Sequence, residues 1–494
     1  MNKYNKSYPP FWADRLLEWF CKHRIIEDIQ GDLHELYYER LKSEGYTKAR
    51  WHFILDVVRS FRRFAFKKPQ IIISNIMTKH YLTIAWRAFR KHPHYSVLNL
   101  LGLSIGLAGS ILIFSYLKHE LSYDDFHKNK DRIVRVTQKY VSTDIVSHNA
   151  TSGNIVGPAL KSNFEEVDNY CRLFQPFLND IIIKKEGQLF KEKSFIYADP
   201  SFFELFDFKT VSGNLKESLT VPNSLVITDK AAIKYFKNQD PIDKILTINN
   251  IDYKVTALIQ DVPENSHIYF ELVGAFTGLS HAKPENLIWS SPNYYTYLLL
   301  QSNTNLEAFQ VKVNDFVAKE TKQMYQNSGA FLELILQPLK EVYFASSLLG
   351  SDGFIQSNDK DLIITFSAIS LLILIIACIN YINLTTARAI ERSREVGIRK
   401  VVGARKSQIW TQFMGEAFII TLFATFIAVL LVELLLPYFQ ELAGKQIVLN
   451  YFDDFQLLSG ILAMVVFVAI FSGFYPALIL TRFKPTAILK SKGK

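Results

Sequence analysis

Hydrophobic side chains along this chain gather into four long blocks, one early and three late. No charged residue occurs from Tyr95 to Leu117, from Leu362 to Ala387 or from Phe455 to Thr481, runs of 23, 26 and 27 positions. A helix needs roughly 20 residues to cross a hydrocarbon core of about 30 Å. A fourth block, about Met414 to Leu436, carries Glu416 near its start and Glu433 near its end, where a carboxylate reaches an interface. The pattern predicts four transmembrane helices at 95–117, 362–387, 412–436 and 455–481.

Outside these blocks the periodicity changes. From Trp12 to Gly45 the apolar residues Leu16, Leu17, Phe20, Ile25, Ile29, Leu33, Leu36, Tyr37 and Leu41 recur at helical spacing, with Gly31 and Gly45 as interruptions. A small helical domain is expected over 1–76. In "HYLTIAWRAFRKHPHY", Leu82, Ile84, Ala85, Trp86 and Phe89 oppose Arg87, Arg90 and Lys91, which predicts an amphipathic helix on the inner membrane surface within 77–94. The segment 118–361 mixes strand and helix signals. "SLVITDKAAIKYF" predicts a strand entering a helix capped near Thr228 or Asp229. "KILTINNIDYKVTALI" predicts a hairpin turning at Asn249 and Asn250, "NYYTYLLLQ" a strand, and Leu306, Phe309, Val313, Phe316 and Val317 one helical stripe. The fold class is therefore an integral membrane α-helical protein with a large extracytoplasmic α+β domain and a small helical cytoplasmic N-terminal domain.

Charge sets the orientation. Lys plus Arg against Asp plus Glu is 18 to 9 over 1–92, 25 to 31 over 93–361 and 13 to 7 over 362–494. This alternation excludes one continuous basic face for nucleic acid and fits basic flanks held in the cytoplasm. Arg388 to Lys406 holds seven Lys or Arg, whereas Pro437 to Asp454 holds Lys445 alone. The loop 388–411 is thus expected inside and 437–454 outside, with both termini and the tail 482–494 cytoplasmic. The first 20 residues carry charges where the apolar core of a signal peptide would stand, so the first span is expected to act as the anchor.

Little else carries chemistry. Cys21, Cys171 and Cys378 lie in three regions and form no metal pair. The cluster His119, Glu120, Asp124, Asp125 and His127 has no spacing that defines a tetrahedral site, and it is expected to be a solvated connector. Phosphate-loop, zinc-protease, nucleophile-elbow and dinucleotide motifs are all missing, so the chain is not expected to be an enzyme or to hydrolyse ATP. Gly102, Gly106 and Gly109 in the first span, with Ser110, are small residues that let two helices approach in lipid.

The stretch "REVGIRKVVGARKSQI", 394–409, places five basic residues between two apolar blocks. Arg388, Arg392, Glu395 and Arg399 share one helical face, Ile398, Val401 and Val402 form an apolar patch beside it, and Gly403 allows a bend before the third span. On charge alone this is equally a topology signal or a docking surface for a soluble partner.

These words resemble the signature of FtsX-like, MacB-type ABC transporter permeases. The resemblance extends to "NLLGLSIGLAGSILIFSYLKHELSYDDFHKNKDRIVRV", "YADPSFFELFDF", "LVITDKAAIKYF" and "SGFYPALILTRFKPTAILK", and covers about 77–490. It implies an ATPase-coupling role for Arg392, Glu395, Gly397, Ile398, Arg399, Lys400, Gly403 and Ala404. It also implies a separate ABC ATPase subunit that binds ATP and magnesium, no cofactor on this chain, and a homodimer or heterodimer of permeases. Residues 136–359 would supply most of a MacB-like domain with a porter-like part and a second subdomain. The N-terminal segment resembles the prefix of some bacterial permeases, and the length that of a half-size or split one. The expected place is the bacterial inner membrane, among lipid, with a possible extracytoplasmic partner. The expected function is export of a peptide, antibiotic or lipoprotein-like substrate; the alternative is mechanotransmission to an extracytoplasmic partner such as a cell-wall hydrolase. A weaker third reading is a membrane-anchored sensory or structural protein.

Overall fold

The computed structural model describes Pro9 and residues 26–59 and 93–482, except 177–180, 186, 238, 327, 346–347, 349–353 and 388. The expected surface helix at 77–92, the tail beyond 482 and the apolar positions Leu16, Leu17, Phe20 and Ile25 lie outside the described residues. The chain divides into two compact units, 1–93 and 94–494.

In the first unit, helix α1 (Ile26–Glu44) and helix α2 (Tyr46–Arg59) are separated by Gly45, whose φ of +84° turns the chain. Leu33, Tyr37, Ala49, Phe53 and Val57 are buried, and the Tyr37 and Phe53 rings meet edge-on. Gly31, expected to interrupt the first helix, sits inside α1. One interior glycine costs about 1 kcal/mol, which burial of Leu33 and Tyr37 just beyond it offsets.

The second unit opens with helix α3 (Pro93–Leu121) and closes with helices α9 (Lys360–Ala387), α10 (Ala389–Val401), α11 (Lys406–Ala443) and α12 (Phe455–Arg482). Four of these, α3, α9, α11 and α12, are long and apolar enough to cross a membrane. Leu103, Leu107 and Ile111 of α3 bury against Leu374, Ala377 and Cys378 of α9, with Ala417, Ala424 and Ala428 of α11 and Val468 of α12. The alanines fall on one face of α11, where small side chains permit close helix contact. Helix α11 begins six residues before the expected span and ends seven after it. Hydropathy reports the apolar thickness, and a helix continues past it for as long as its backbone is capped and packed.

Between α3 and α9 lies an α+β domain. Its strands are β1 (Ile133–Val141), β2 (Val146–Asn149), β3 (Val167–Phe174), β4 (Ile181–Lys185), β5 (Gln188–Glu192), β6 (Phe195–Ala198), β7 (Thr210–Gly213), β8 (Ser224–Thr228), β9 (Ile245–Ile248), β10 (Ile251–Ile259), β11 (Leu272–Ala275), β12 (Tyr295–Leu300) and β13 (Phe331–Pro338). They form one sheet in the order β13-β1-β12-β3-β6-β11-β8-β10-β9-β4-β5, with β2 on β1 and β7 on β10. The pairs β8/β10 and β6/β11 are parallel. Helix α4 (Val156–Asn163) and helix α7 (Leu306–Tyr325) cover the β1/β12/β13 end, burying Phe309, Val313 and Val317. Helix α6 (Asp229–Phe236) covers the β8/β10 end, and the short helices α5 (Phe202–Leu205) and α8 (Leu339–Val342) pack on the middle core.

Local chemistry explains these elements. The Thr228 hydroxyl accepts from Ala231 N–H at 3.3 Å and caps α6. Asn249 and Asn250 have φ of 48° and 63°, as the tight β9–β10 turn requires. Asn305 caps α7 through Ala308 N–H at 3.0 Å.

Candidate functional site

Chemistry concentrates at the two ends of the helical bundle. At the end far from the α+β domain, residues 402–405 join α10 to α11. Ala404 N–H donates to Arg399 C=O at 2.9 Å and Gly403 N–H to Lys400 C=O at 3.1 Å, the paired bonds of a Schellman cap. Gly403 occupies the left-handed position at φ +102°, which a residue with Cβ adopts only at a cost. The Gln408 side chain accepts from Arg405 N–H at 2.9 Å and starts α11. The turn is therefore fixed from both sides.

Two of its charges turn back onto the bundle, while Arg405 and Lys406 are exposed. Arg399 Nη1 donates to Gln412 Oε1, and Gln412 Nε2 donates to buried Glu416 at 2.9 Å. Lys400 Nζ donates to the Thr481 carbonyl at 2.7 Å, meeting the negative end of α12. Val396, Ile409, Phe413, Ala477 and Leu480 are packed beneath, with Ala404 against them. Gly397 is buried. Arg392 and Glu395 stand on α10 three residues apart. The apolar side chains point outward: Ile398 and Val401 are each 65% exposed and Val402 is 83% exposed.

The glycines of α3 face α9. A Cβ on Gly102 would lie 2.6 Å from Asn380 Nδ2, and one on Gly106 2.6 Å from Ala377 Cβ. On Gly109 it would meet Ile373 at 3.9 Å, ordinary contact, and at Gly102 the end of the exposed Asn380 side chain can move aside, so of the three Gly106, against Ala377 Cβ, has the firmest need for glycine. Ser110 Oγ adds a hydrogen bond of 3.3 Å to the Ser370 carbonyl.

At the other end, the expected solvated connector is instead a buried polar neck. Glu120, Asp124 and His127 are at most 2% exposed. Glu120 Oε2 accepts from Tyr343 Oη at 2.6 Å and from Asn358 Nδ2 at 2.5 Å. The Tyr123 and Tyr343 rings stack 3.5 Å apart, and Lys445 Nζ, from the α11–α12 loop, reaches their hydroxyls at 2.5 and 3.2 Å. Burial pushes the Lys445 ammonium down and raises both phenols. Behind them Asp124 Oδ1 lies 2.8 Å from His267 Nδ1 and accepts from His267 N–H at 3.1 Å. His127 accepts Asp207 N–H on Nδ1 at 3.0 Å, and burial pushes its pKa down to about 4, so the ring is neutral. No metal-binding group of three or more His, Cys, Asp or Glu occurs among the described residues. Sequence reasoning missed the neck because its partners, Tyr343, Asn358 and Lys445, are more than 200 positions downstream. The one local signal was Lys445, the single basic residue of its loop.

Four helices long and apolar enough to cross a membrane, with a large domain inserted after the first and a capped turn with an apolar tip at the far end, define the class of a multi-pass membrane protein. The FtsX-like permease C-terminal family matches residues 367–485 and the MacB-like periplasmic core domain family matches residues 96–316. Together they span just over two thirds of the chain, which belongs to the MacB/FtsX-type permeases of ABC transporters.

Among curated relatives, the macrolide export ATP-binding/permease protein MacB of Haemophilus ducreyi is 28% identical over 45% of this chain and 30% of that protein. The pyoverdine export ATP-binding/permease protein PvdT of Pseudomonas syringae is 23% identical over 83% of this chain and 59% of that protein. The chain thus spans less than two thirds of the length of either relative. The periplasmic region of MacB from Actinobacillus actinomycetemcomitans superposes with a TM-score of 0.30 at 11% identity, over 41% of this chain and 88% of that one.

Proposed function

We propose that this chain is the permease subunit of an ABC exporter, coupling ATP hydrolysis by a separate ATPase to motion of its α+β domain across the inner membrane of a bacterium. The observation that carries the reading is the turn 398–404, rigidly capped and braced, with Ile398, Val401 and Val402 exposed at its tip. Apolar side chains held out on a fixed turn suit the dry centre of a protein interface. The seven basic residues of 388–406 against one in 437–454 support a cytoplasmic position for this turn and, with it, for both termini. ATP and magnesium belong to the partner ATPase, and two permeases work as a dimer.

The braces define how a push would travel. Arg399 and Lys400 tie the turn to α11 and α12, so displacement at the tip moves those helices as one body. The span centres lack ionisable residues, which favours transmitted motion over passage of a hydrophilic solute between the helices. The cargo class, peptide, antibiotic or lipoprotein-like, is then met on the outer side, in keeping with the export named for MacB and PvdT.

The test is co-purification of a P-loop ATPase with the solubilised chain. Wild type is expected to bring it down and Val402→Asp to lose it while the permease remains folded. Retention of the ATPase by Val402→Asp combined with Ile398→Asp, or absence of any ATPase from wild type, overturns the reading.

A further inference from the structure

The helices that brace the turn, α11 and α12, have no direct chain connection to the α+β domain; the connectors run from α3 and into α9. Their loop, 444–454, nevertheless touches the neck. Its single cation, Lys445, enters a site where Glu120 is fully buried. Tyr343 Oη accepts from Lys445 at 3.2 Å and donates to Glu120 at 2.6 Å, so one phenol relays the ammonium to the carboxylate. Lys445 Nζ also stands 3.9 Å from Glu120 Oε1 and lies 5.0 and 5.5 Å from the Tyr123 and Tyr343 ring centroids. His119 Nδ1 is the other nearby group, 3.7 Å from Glu120 Oε1. Beside Lys445, Gln446 N–H donates to Glu264 of the domain at 3.2 Å.

We infer that Glu120, Tyr343 and Lys445 form a clasp that fastens the α11–α12 loop to both connectors of the α+β domain. Three elements meet on one carboxylate: α3 supplies Glu120, the segment entering α9 supplies Tyr343 and Asn358, and the loop supplies Lys445. A buried carboxylate holds its charge only with such partners, so withdrawing Lys445 loosens the 444–450 end of the loop, leaving Lys118–Asp454 and Gln446–Glu264 to hold it, and weakens the connectors' contact with each other. The clasp rests on the proposed function for its purpose, as the point where motion of α11 and α12 reaches the domain, but its existence is independent of any ATPase.

Hydrogen exchange on the full chain in nanodiscs tests it, comparing wild type with Lys445→Met, Lys445→Arg, Glu120→Gln, Tyr343→Phe and the Lys445→Met/Glu120→Gln pair. Exchange in 444–450 and 354–359 is expected to rise at least tenfold in Lys445→Met and Glu120→Gln. The rise should be smaller in Tyr343→Phe, near wild type in Lys445→Arg, and no greater in the double variant than in either single one. Protection of 398–404 and ATPase co-purification with Lys445→Met should stay unchanged. Unchanged exchange of 444–450 in Lys445→Met, or a double variant equal to the product of the two single ones, overturns the clasp. Failure of wild type to bind an ATPase, with the exchange pattern as expected, overturns only the coupling purpose.

Discussion

The two ends of the bundle solve opposite problems with the same residue types. At the turn 398–404 the charges fold back onto α11 and α12 and the aliphatic side chains stand in solvent. At the neck the charges are enclosed by aromatic rings and by the α+β domain. An exposed apolar tip costs the folded chain little and would be covered by the proposed partner. A buried carboxylate with its cation must be complete before the chain is stable. The first is arranged to be separable, the second to stay joined.

Substitutions at the neck should therefore destabilise the chain, whereas those at the tip should alter binding alone. Glu120→Ala removes the acceptor of Tyr343 and Asn358 and the counter-charge of Lys445, and is expected to lower unfolding free energy by about 3 kcal/mol, read from denaturant titration in detergent. Acid attacks the same region by another route. The folded pKa of His127 is depressed to about 4 from an ordinary value near 6.5, so its contribution is present above 6.5 and is lost as pH falls towards 4. His127→Gln should flatten that part of the stability profile.

Inside the bundle, Gly106→Val should cost about 2 kcal/mol by forcing α3 off Ala377, while Gly109→Ala should stay within about 0.5 kcal/mol; melting temperatures compare the two. Gly403→Ala strains the left-handed cap and should cost about 1 kcal/mol. Val402→Asp should change stability by less than about 0.5 kcal/mol and still abolish ATPase co-purification. A large loss of stability there would erase the contrast between the two ends.

Local features were legible in the sequence. The four apolar blocks, the Thr228 cap, the Asn249–Asn250 turn and the Phe309–Val313–Val317 stripe depend on neighbours within a few positions, and the structure has each of them. The helical position of Arg399 was readable, but its contact with Gln412 depends on how α10 folds against α11. Of the acidic and histidine cluster 119–127, Glu120, Asp124 and His127 were misread as solvated, since distant Tyr343, Asn358 and His267 help enclose them, whereas Asp125 is exposed as expected. Spacing in a linear chain gives the period of an element; it gives the far partner only where composition leaves one candidate, as with Lys445.

Helix α11 is one uninterrupted element of 38 residues, with Pro437 inside it. At 1.5 Å per residue it is a rod of about 57 Å, nearly twice the hydrocarbon thickness of a bilayer. Its ends lie at the capped turn and beside the neck, so under the proposed function it would serve as a lever with a handle on each side. One degree of tilt about the inner end would carry the outer end by about 1 Å, so a small change of angle at the turn is felt at the neck.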